Sequence, residues 1–400
     1  MKGKNILILS VIGAVPFIMV LGNSMLIPVL PEMQRQLGIS RFQTSLIISL
    51  FSVPAGLVIP LAGLFSDRIG RKKVIAPSLL LYGLGGLVAG FSAILINKAY
   101  WLIITGRIIQ GLGAAGTAPV AMALAGDLFT GKERSSALGY IEAANGFGKV
   151  VSPILGSLLA LIAWYAVFFL FPALTIPIAA AVWFLVDEPV SNSNKQGFKQ
   201  YFGSVGAVFK TKSGFLIPAF LSGAISLLLL FGILFFLSDY LETSLKITGV
   251  KKGFVLAIPV LSMSLTSFAT GILVKKRMPM MKISVISGLA ALTISLGMLP
   301  FFKNPWIHVA VMSAAGIGVG MILPCLNTII TSTTDVQKRG MVTSLYGGIR
   351  FFGVAAGPPV FGILQDFGNF VMFWTAAAAA LIIGIINVIV LPSKAPQDKK

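Results

Sequence analysis

Apolar runs of about 20 residues recur from one end of this chain to the other, each long enough to cross a hydrocarbon core of roughly 30 Å. Twelve can be drawn: 6–30, 42–65, 74–96, 100–126, 135–162, 165–186, 214–238, 253–274, 283–302, 306–331, 340–365 and 370–391. In lipid a backbone N–H or C=O finds no water, so such segments must close their hydrogen bonds on themselves as helices. The 400 residues are 56% hydrophobic and 11% charged, which leaves no soluble domain of any size. The expected fold class is therefore an all-α integral membrane protein with twelve transmembrane helices.

The net charge of +19 could point to nucleic acid, but its distribution points to a membrane. With the N-terminus placed inside, 21 of the 31 Lys and Arg fall at the inner ends and loops and seven at the outer ones, the positive-inside bias. Both termini are thus expected in the cytoplasm. The first run follows basic Lys2 and Lys4, yet it continues well past the roughly 7–15 apolar residues of a signal core and reads as a retained helix. One cysteine, Cys325, excludes an internal disulfide, and His308 reads as an interfacial residue at the outer start of the tenth segment.

The longest polar stretch, Asp187 to Lys212, divides six segments from six. The expected organisation is a six-helix bundle over 1–186, a cytoplasmic linker over 187–213 with a short amphipathic piece at 198–209, a second bundle over 214–392 and a cytoplasmic tail over 393–400. Self-similarity at an offset of 205 supports the division. Gly111, Gly113 and Pro119 map onto Gly316, Gly318 and Pro324; Arg134 maps onto Arg339, Gly148 onto Gly353, and Ser152-Pro153 onto Gly357-Pro358. Parallel halves able to rock about a midplane site are the physical basis of alternating access. The repeat is unequal: Arg107 maps onto Met312, and the second-half counterpart of the first inner loop reads Gly271-Ile-Leu-Val-Lys275-Lys276-Arg277.

That first inner loop, between the second and third segments, reads Gly63-Leu-Phe-Ser-Asp67-Arg68-Ile-Gly70-Arg71-Lys72. A solvated basic turn explains its cations but not a carboxylate framed by two glycines. The fourth segment carries Arg107-Ile-Ile-Gln110-Gly111-Leu-Gly113 inside an apolar helix, where an unpaired cation costs at least ~2.5–3.5 kcal/mol on insertion scales. Snorkelling to the outer interface is one escape for it. The fifth carries Gly148-Lys149-Val-Val-Ser152-Pro153-Ile-Leu-Gly156-Ser157, whose proline and small residues allow a bend and close helix approach.

Together the loop G-x-x-x-D-R-x-G-R-K, the helix-4 R-x-x-Q-G-x-G and the helix-5 motif resemble the major facilitator superfamily, in particular its 12-helix bacterial drug:proton antiporters. The resemblance implies two pseudo-symmetric six-helix bundles and a conformational latch built from Gly63, Asp67, Arg68, Gly70, Arg71 and Asp127. In it Asp67 caps a second-half helix near Gly340, and Arg71 pairs with the acid Asp127 that ends helix 4. It also implies proton coupling through Arg107. The helix-5 motif (Gly148, Ser152, Pro153, Gly156) matches the antiporter signature with serine for glycine at two places, and it marks exporters.

Glu142, in the same fifth segment, is a candidate proton carrier, because a carboxylate withdrawn from water binds and releases protons readily; the other reading is that it neutralises a neighbouring cation. Arg350 lies near the middle of the eleventh segment. Arg107, Lys149 and Arg350 against Glu142 make the intramembrane region formally positive, which favours neutral or anionic cargo, with Lys149 and Arg350 in the substrate cavity. The expectation is a proton-driven exporter of small amphipathic molecules in the bacterial inner membrane, acting as a monomer. An exporter dedicated to one acidic metabolite, such as a siderophore, shares the same motifs, and an importer of an anionic nutrient is a further alternative. No metal cluster, nucleophile elbow or Walker loop is present in the sequence, so the reading has no catalytic residues, no metal and no cofactor, with an ion gradient as the energy source.

Overall fold

The computed structural model describes residues 3–96, 98–188, 198–274, 277–334 and 338–392. The middle of the linker (189–197), Lys275 and Lys276 of the second-half loop, and the tail 393–400 lie outside the described residues.

Each apolar run forms helix. The first span is α1 (Gly3–Ser24), a 3-10 turn at Ile27–Val29 and α2 (Leu30–Leu37); α3 (Arg41–Ile69) and α4 (Lys72–Leu95) follow. The fourth span is α5 (Tyr100–Ala115) and α6 (Ala118–Leu128), broken at Gly116-Thr117 ahead of Pro119, which has no N–H to continue the ladder. Next come α7 (Gly131–Ala160), α8 (Ala166–Leu185), α9 (Phe198–Thr243), α10 (Gly249–Leu273), α11 (Met278–Met298), α12 (Pro305–Ser332), α13 (Arg339–Gln365) and α14 (Asn369–Val390). Among the described residues, eleven spans are apolar and long enough to cross a membrane. The twelfth, α7, has 30 residues but carries Glu142, Asn145 and Lys149, which lower its hydropathy. The amphipathic piece expected at 198–209 is the start of the unbroken 46-residue α9 rather than a separate element.

The chain divides into two compact units: Met1–Lys195 with Leu237–Ala257, and Gln196–Phe236 with Ile258–Lys400. The first unit packs around a core that includes Ile12, Val15, Leu79, Leu124, Ile141 and Val182, contributed by α1, α4, α6, α7 and α8.

The repeat seen in the sequence is a repeat of packing. A Cβ on Gly148 of α7 would lie 3.1 Å from the Phe17 carbonyl oxygen of α1; one on its counterpart Gly353 of α13 would lie 2.0 Å from that of Ala224 in α9. Gly111 and Gly316 likewise press on a carbonyl of the second span of their own half, Phe51 O at 2.2 Å and Pro259 O at 2.3 Å. Small residues at such crossings let helix backbones touch, which is how membrane helices gain packing without a hydrophobic driving force.

Gly156 is the tightest of these sites, with a Cβ falling 1.9 Å from Met25 O, whereas one on Gly139 of the same helix meets nothing within 4 Å. Gly156→Ala should lower the unfolding temperature in detergent, at an overpacking cost of ~1–3 kcal/mol. Gly139→Ala should leave it unchanged or raise it.

Candidate functional site

The α3–α4 turn is held by more than its own charges. Gly70 has φ of +109°, the left-handed region that favours glycine. A Cβ there would also strike the Glu188 carboxylate, 2.9 Å from Oε2. That carboxylate accepts the backbone N–H of Arg71 and, at 3.2 Å, that of Lys72, so it covers the N-terminus of α4 where a negative charge is favoured. Lys72 Nζ donates to Val186 O at 2.9 Å, just past the end of α8. Arg71 binds Asp67 and Ser66 Oγ (2.6 Å), and its Nε lies 3.2 Å from Asp127 Oδ2 at the end of α6. Gly63 O accepts from Ser66 Oγ at 2.8 Å, and Arg68 is partly buried in the last turn of α3. Asp67 and Asp127 are exposed. The turn thus ties the starts and ends of α3, α4, α6 and α8 together. Glu188 was legible only as one of the two acids that open the linker.

Arg107 does not snorkel. Its side chain is fully buried, and the protein surrounds it with neutral acceptors. Nε donates to Ile47 O (2.9 Å), Nη1 to Gln110 Oε1 (2.7 Å) and Nη2 to Asn23 Oδ1 (2.8 Å), while its Cζ sits 4.4 Å from the centre of the Phe51 ring. Asn23 Nδ2 in turn donates to Ser52 Oγ at 2.6 Å. One guanidinium therefore links α1, α3 and α5, and Glu142 is not among its partners.

Glu142 is exposed and makes no hydrogen bond or ion pair with the described residues, which corrects the expectation of a buried carboxylate or of one neutralising a neighbour. It follows Ile141, which faces the core, and so points about 100° away around α7. Lys149 is partly buried on the same helix. Of the helix-5 motif, Gly148 seats α7 on α1 and Gly156 on Met25 just beyond its end, and the buried Pro153 meets α10: a Cβ on Gly253 would lie 2.7 Å from Pro153 O. Ser152 is buried and satisfies itself by donating to Gly148 O at 2.5 Å, so serine replaces glycine there without an orphaned hydroxyl. Arg350 is partly buried on α13, its Cζ 4.9 Å from the centre of the Tyr346 ring. His308, expected at an interface, is buried, its Nδ1 3.1 Å from Asn304 O.

A second charged cluster is built from residues that lie just beyond the ends of the apolar runs, Asp239, Glu242 and Lys252 among them. Lys252 is 2% exposed and donates to Glu242 (2.7 Å) and to Pro28 O (2.8 Å). Arg35 of α2 pairs with Glu242 at 2.6 Å and with Glu32, and Arg41 lies 3.6 Å from Asp239. Ser238 Oγ donates to Ile27 O at 2.7 Å, a carbonyl that Pro31 cannot serve for want of an N–H. The sequence signal was Pro28-x-x-Pro31, which frees backbone acceptors at the end of the first span for donors from elsewhere.

Losing one acceptor of a buried cation is costly, ~1–3 kcal/mol. Asn23→Ala should therefore lower the unfolding temperature. Adding Arg107→Met should recover most of the loss, since Met312 occupies the repeat-related position fully buried. A double variant less stable than Asn23→Ala would show that the guanidinium stabilises the fold by some other route.

The sequence matches the family model described as Major Facilitator Superfamily over residues 12–358 and 282–400. It is 41% identical over 399 residues to the Bacillibactin exporter of Bacillus subtilis (strain 168), covering 99% of this chain and 98% of that protein. It is 26% identical to the Tetracycline resistance protein, class C, of Escherichia coli, over 90% of this chain and 89% of that one. Among solved structures, a D-xylose-proton symporter superposes with TM-score 0.81 at 11% identity, covering 98% of this chain and 99% of that one, which bears on the fold alone. The motifs, the two-fold repeat of packing and these matches lead to one conclusion: the chain is a multi-pass membrane protein that belongs to the Major Facilitator Superfamily of transporters.

Proposed function

We propose that this protein is an exporter, driven by the proton gradient, that moves a small acidic amphipathic metabolite out of a bacterial cell by alternating access. The observation that carries the reading is the near full-length match to the Bacillibactin exporter at 41% identity. The Multidrug resistance protein 1 of Bacillus subtilis (strain 168) matches at 31% over only 50% of this chain. A dedicated exporter of one metabolite, such as a siderophore, is therefore favoured. A polyspecific drug pump is the second reading, supported by the full-length match to the tetracycline protein.

The intramembrane charges support an acidic cargo: Arg107, Lys149 and Arg350 stand against Glu142 alone. On this reading both termini lie in the cytoplasm and Asp67 with Arg71 and Asp127 governs closure on that side. Arg35, Glu242 and Lys252 hold the opposite end of the first unit. Those pairs must part for cargo to leave. Glu142, exposed and unpartnered among the described residues, is open to exchange a proton, and Arg107 braces the helices that move with it.

The reading is tested in bacterial cells that express the protein and are loaded with matched anionic, neutral and cationic fluorescent compounds. Energised cells should extrude the anionic compound, a protonophore should stop extrusion, and Glu142→Gln should flatten its pH dependence. Extrusion of all three compounds alike would favour the drug pump. Uptake instead of extrusion would make the protein an importer.

A further inference from the structure

Arg350 stands 11 residues into α13, about 16 Å along the helix and near the middle of a 30 Å core. It makes no hydrogen bond and no ion pair with any described residue, and its Nε is buried without an acceptor. The described residues of Arg350's own unit hold one carboxylate, Asp366, which follows α13 and lies 16 residues on, about 24 Å away along the helix. The contrast with Arg107 is chemical: that guanidinium has three acceptors from its own unit, and this one has none among the described residues.

What Arg350 does have is a platform. Its guanidinium rests on the ring of Tyr346, one turn earlier, and that ring is fixed. Tyr346 is fully buried, its ring 5.3 Å from that of Phe220 on α9, and its hydroxyl presses on Gly223, where a Cβ would lie 2.5 Å from the oxygen. That contact engages the aromatic side of the guanidinium and leaves its N–H edges without an acceptor among the described residues. Those edges form a rigid planar fork that matches two oxygens in one plane.

We propose that Arg350, presented by Tyr346, is the docking point for a planar oxyanion of the cargo: a carboxylate, or another group with two neighbouring oxygens in one plane. The inference deepens the transport reading above and rests on it, in that the anion is taken to be cargo. A lipid phosphate could offer similar chemistry, but headgroups lie at the membrane surface and Arg350 near mid-depth.

The test is binding of pyrenebutyrate, its neutral amide and 1-pyrenylbutylamine to purified full-length protein in nanodiscs of zwitterionic lipid, read by fluorescence without any gradient. Wild type should bind the carboxylate about tenfold more tightly than the amide, the range of one charge-assisted contact. Arg350→Gln should abolish that preference while leaving amide binding unchanged. Arg350→Lys, which keeps the charge and loses the fork, should retain only part of it. Unchanged preference in Arg350→Gln, or equal loss of both probes by a variant that keeps the wild-type unfolding temperature, would overturn the proposal. So would loss of the wild-type preference once phosphatidylglycerol is added, which would assign the fork to a lipid headgroup. A preference for the carboxylate alongside failed extrusion in cells would count against the exporter reading and not against this site.

Discussion

A charge placed inside a membrane-spanning helix has no water to turn to, so its partner must come from the protein or from what the protein carries. Much of this structure follows from how that demand is met. Arg107 is closed in by Ile47 O, Gln110, Asn23 and the face of Phe51, and in meeting it the first, second and fourth spans are bound at one point. The second half of the repeat solves the same position with Met312 and needs no such knot. Arg350 is left with an aromatic support and no acceptor among the described residues. One arginine braces three spans; the other is the one proposed above to meet the cargo.

The same economy governs both ends of α3. At its last turn Arg71 gathers Asp67, Ser66 and Asp127, while Glu188 covers the first N–H groups of α4. Near its start, Arg35, Glu242 and Lys252 join the end of the first span to the α9–α10 turn, with Pro28 O accepting from Lys252 and Ile27 lending Ser238 a carbonyl that Pro31 cannot serve. Of these, Lys252 is the most deeply buried, at 2% exposed, so its bond to Glu242 is screened least by solvent.

The spans and the two-fold repeat were legible in the sequence because lipid leaves an apolar run of about 20 residues no alternative to helix. Glycines repeated at one offset also forecast repeated close approaches, as Gly148 and Gly353 show against α1 and α9. Partnerships were much less legible. Glu242 and Lys252 lie ten apart beyond the ends of their apolar runs, and nothing local distinguishes such a pair from solvated loop charges. Glu188 lies at the start of a polar linker, just after Asp187, yet its carboxylate belongs to the α3–α4 turn. The exposure of Glu142 depends on which way α7 is rotated, and that is set by Gly148 and Gly156 meeting the first span, not by the residues beside Glu142. Arg107 was recognisable as costly, but its acceptors are an asparagine, a glutamine and a backbone carbonyl, groups that announce nothing in sequence.

The central claim is that a proton gradient drives an acidic molecule uphill through this protein. The most direct measurement is the accumulation of pyrenebutyrate by liposomes that contain the purified protein, after the pH on one side is stepped. The account predicts accumulation above the equilibrium distribution in liposomes containing the protein but not in empty ones, with its direction reversing when the gradient is reversed. Mere equilibration of the compound, at the same level with and without the gradient, would contradict it.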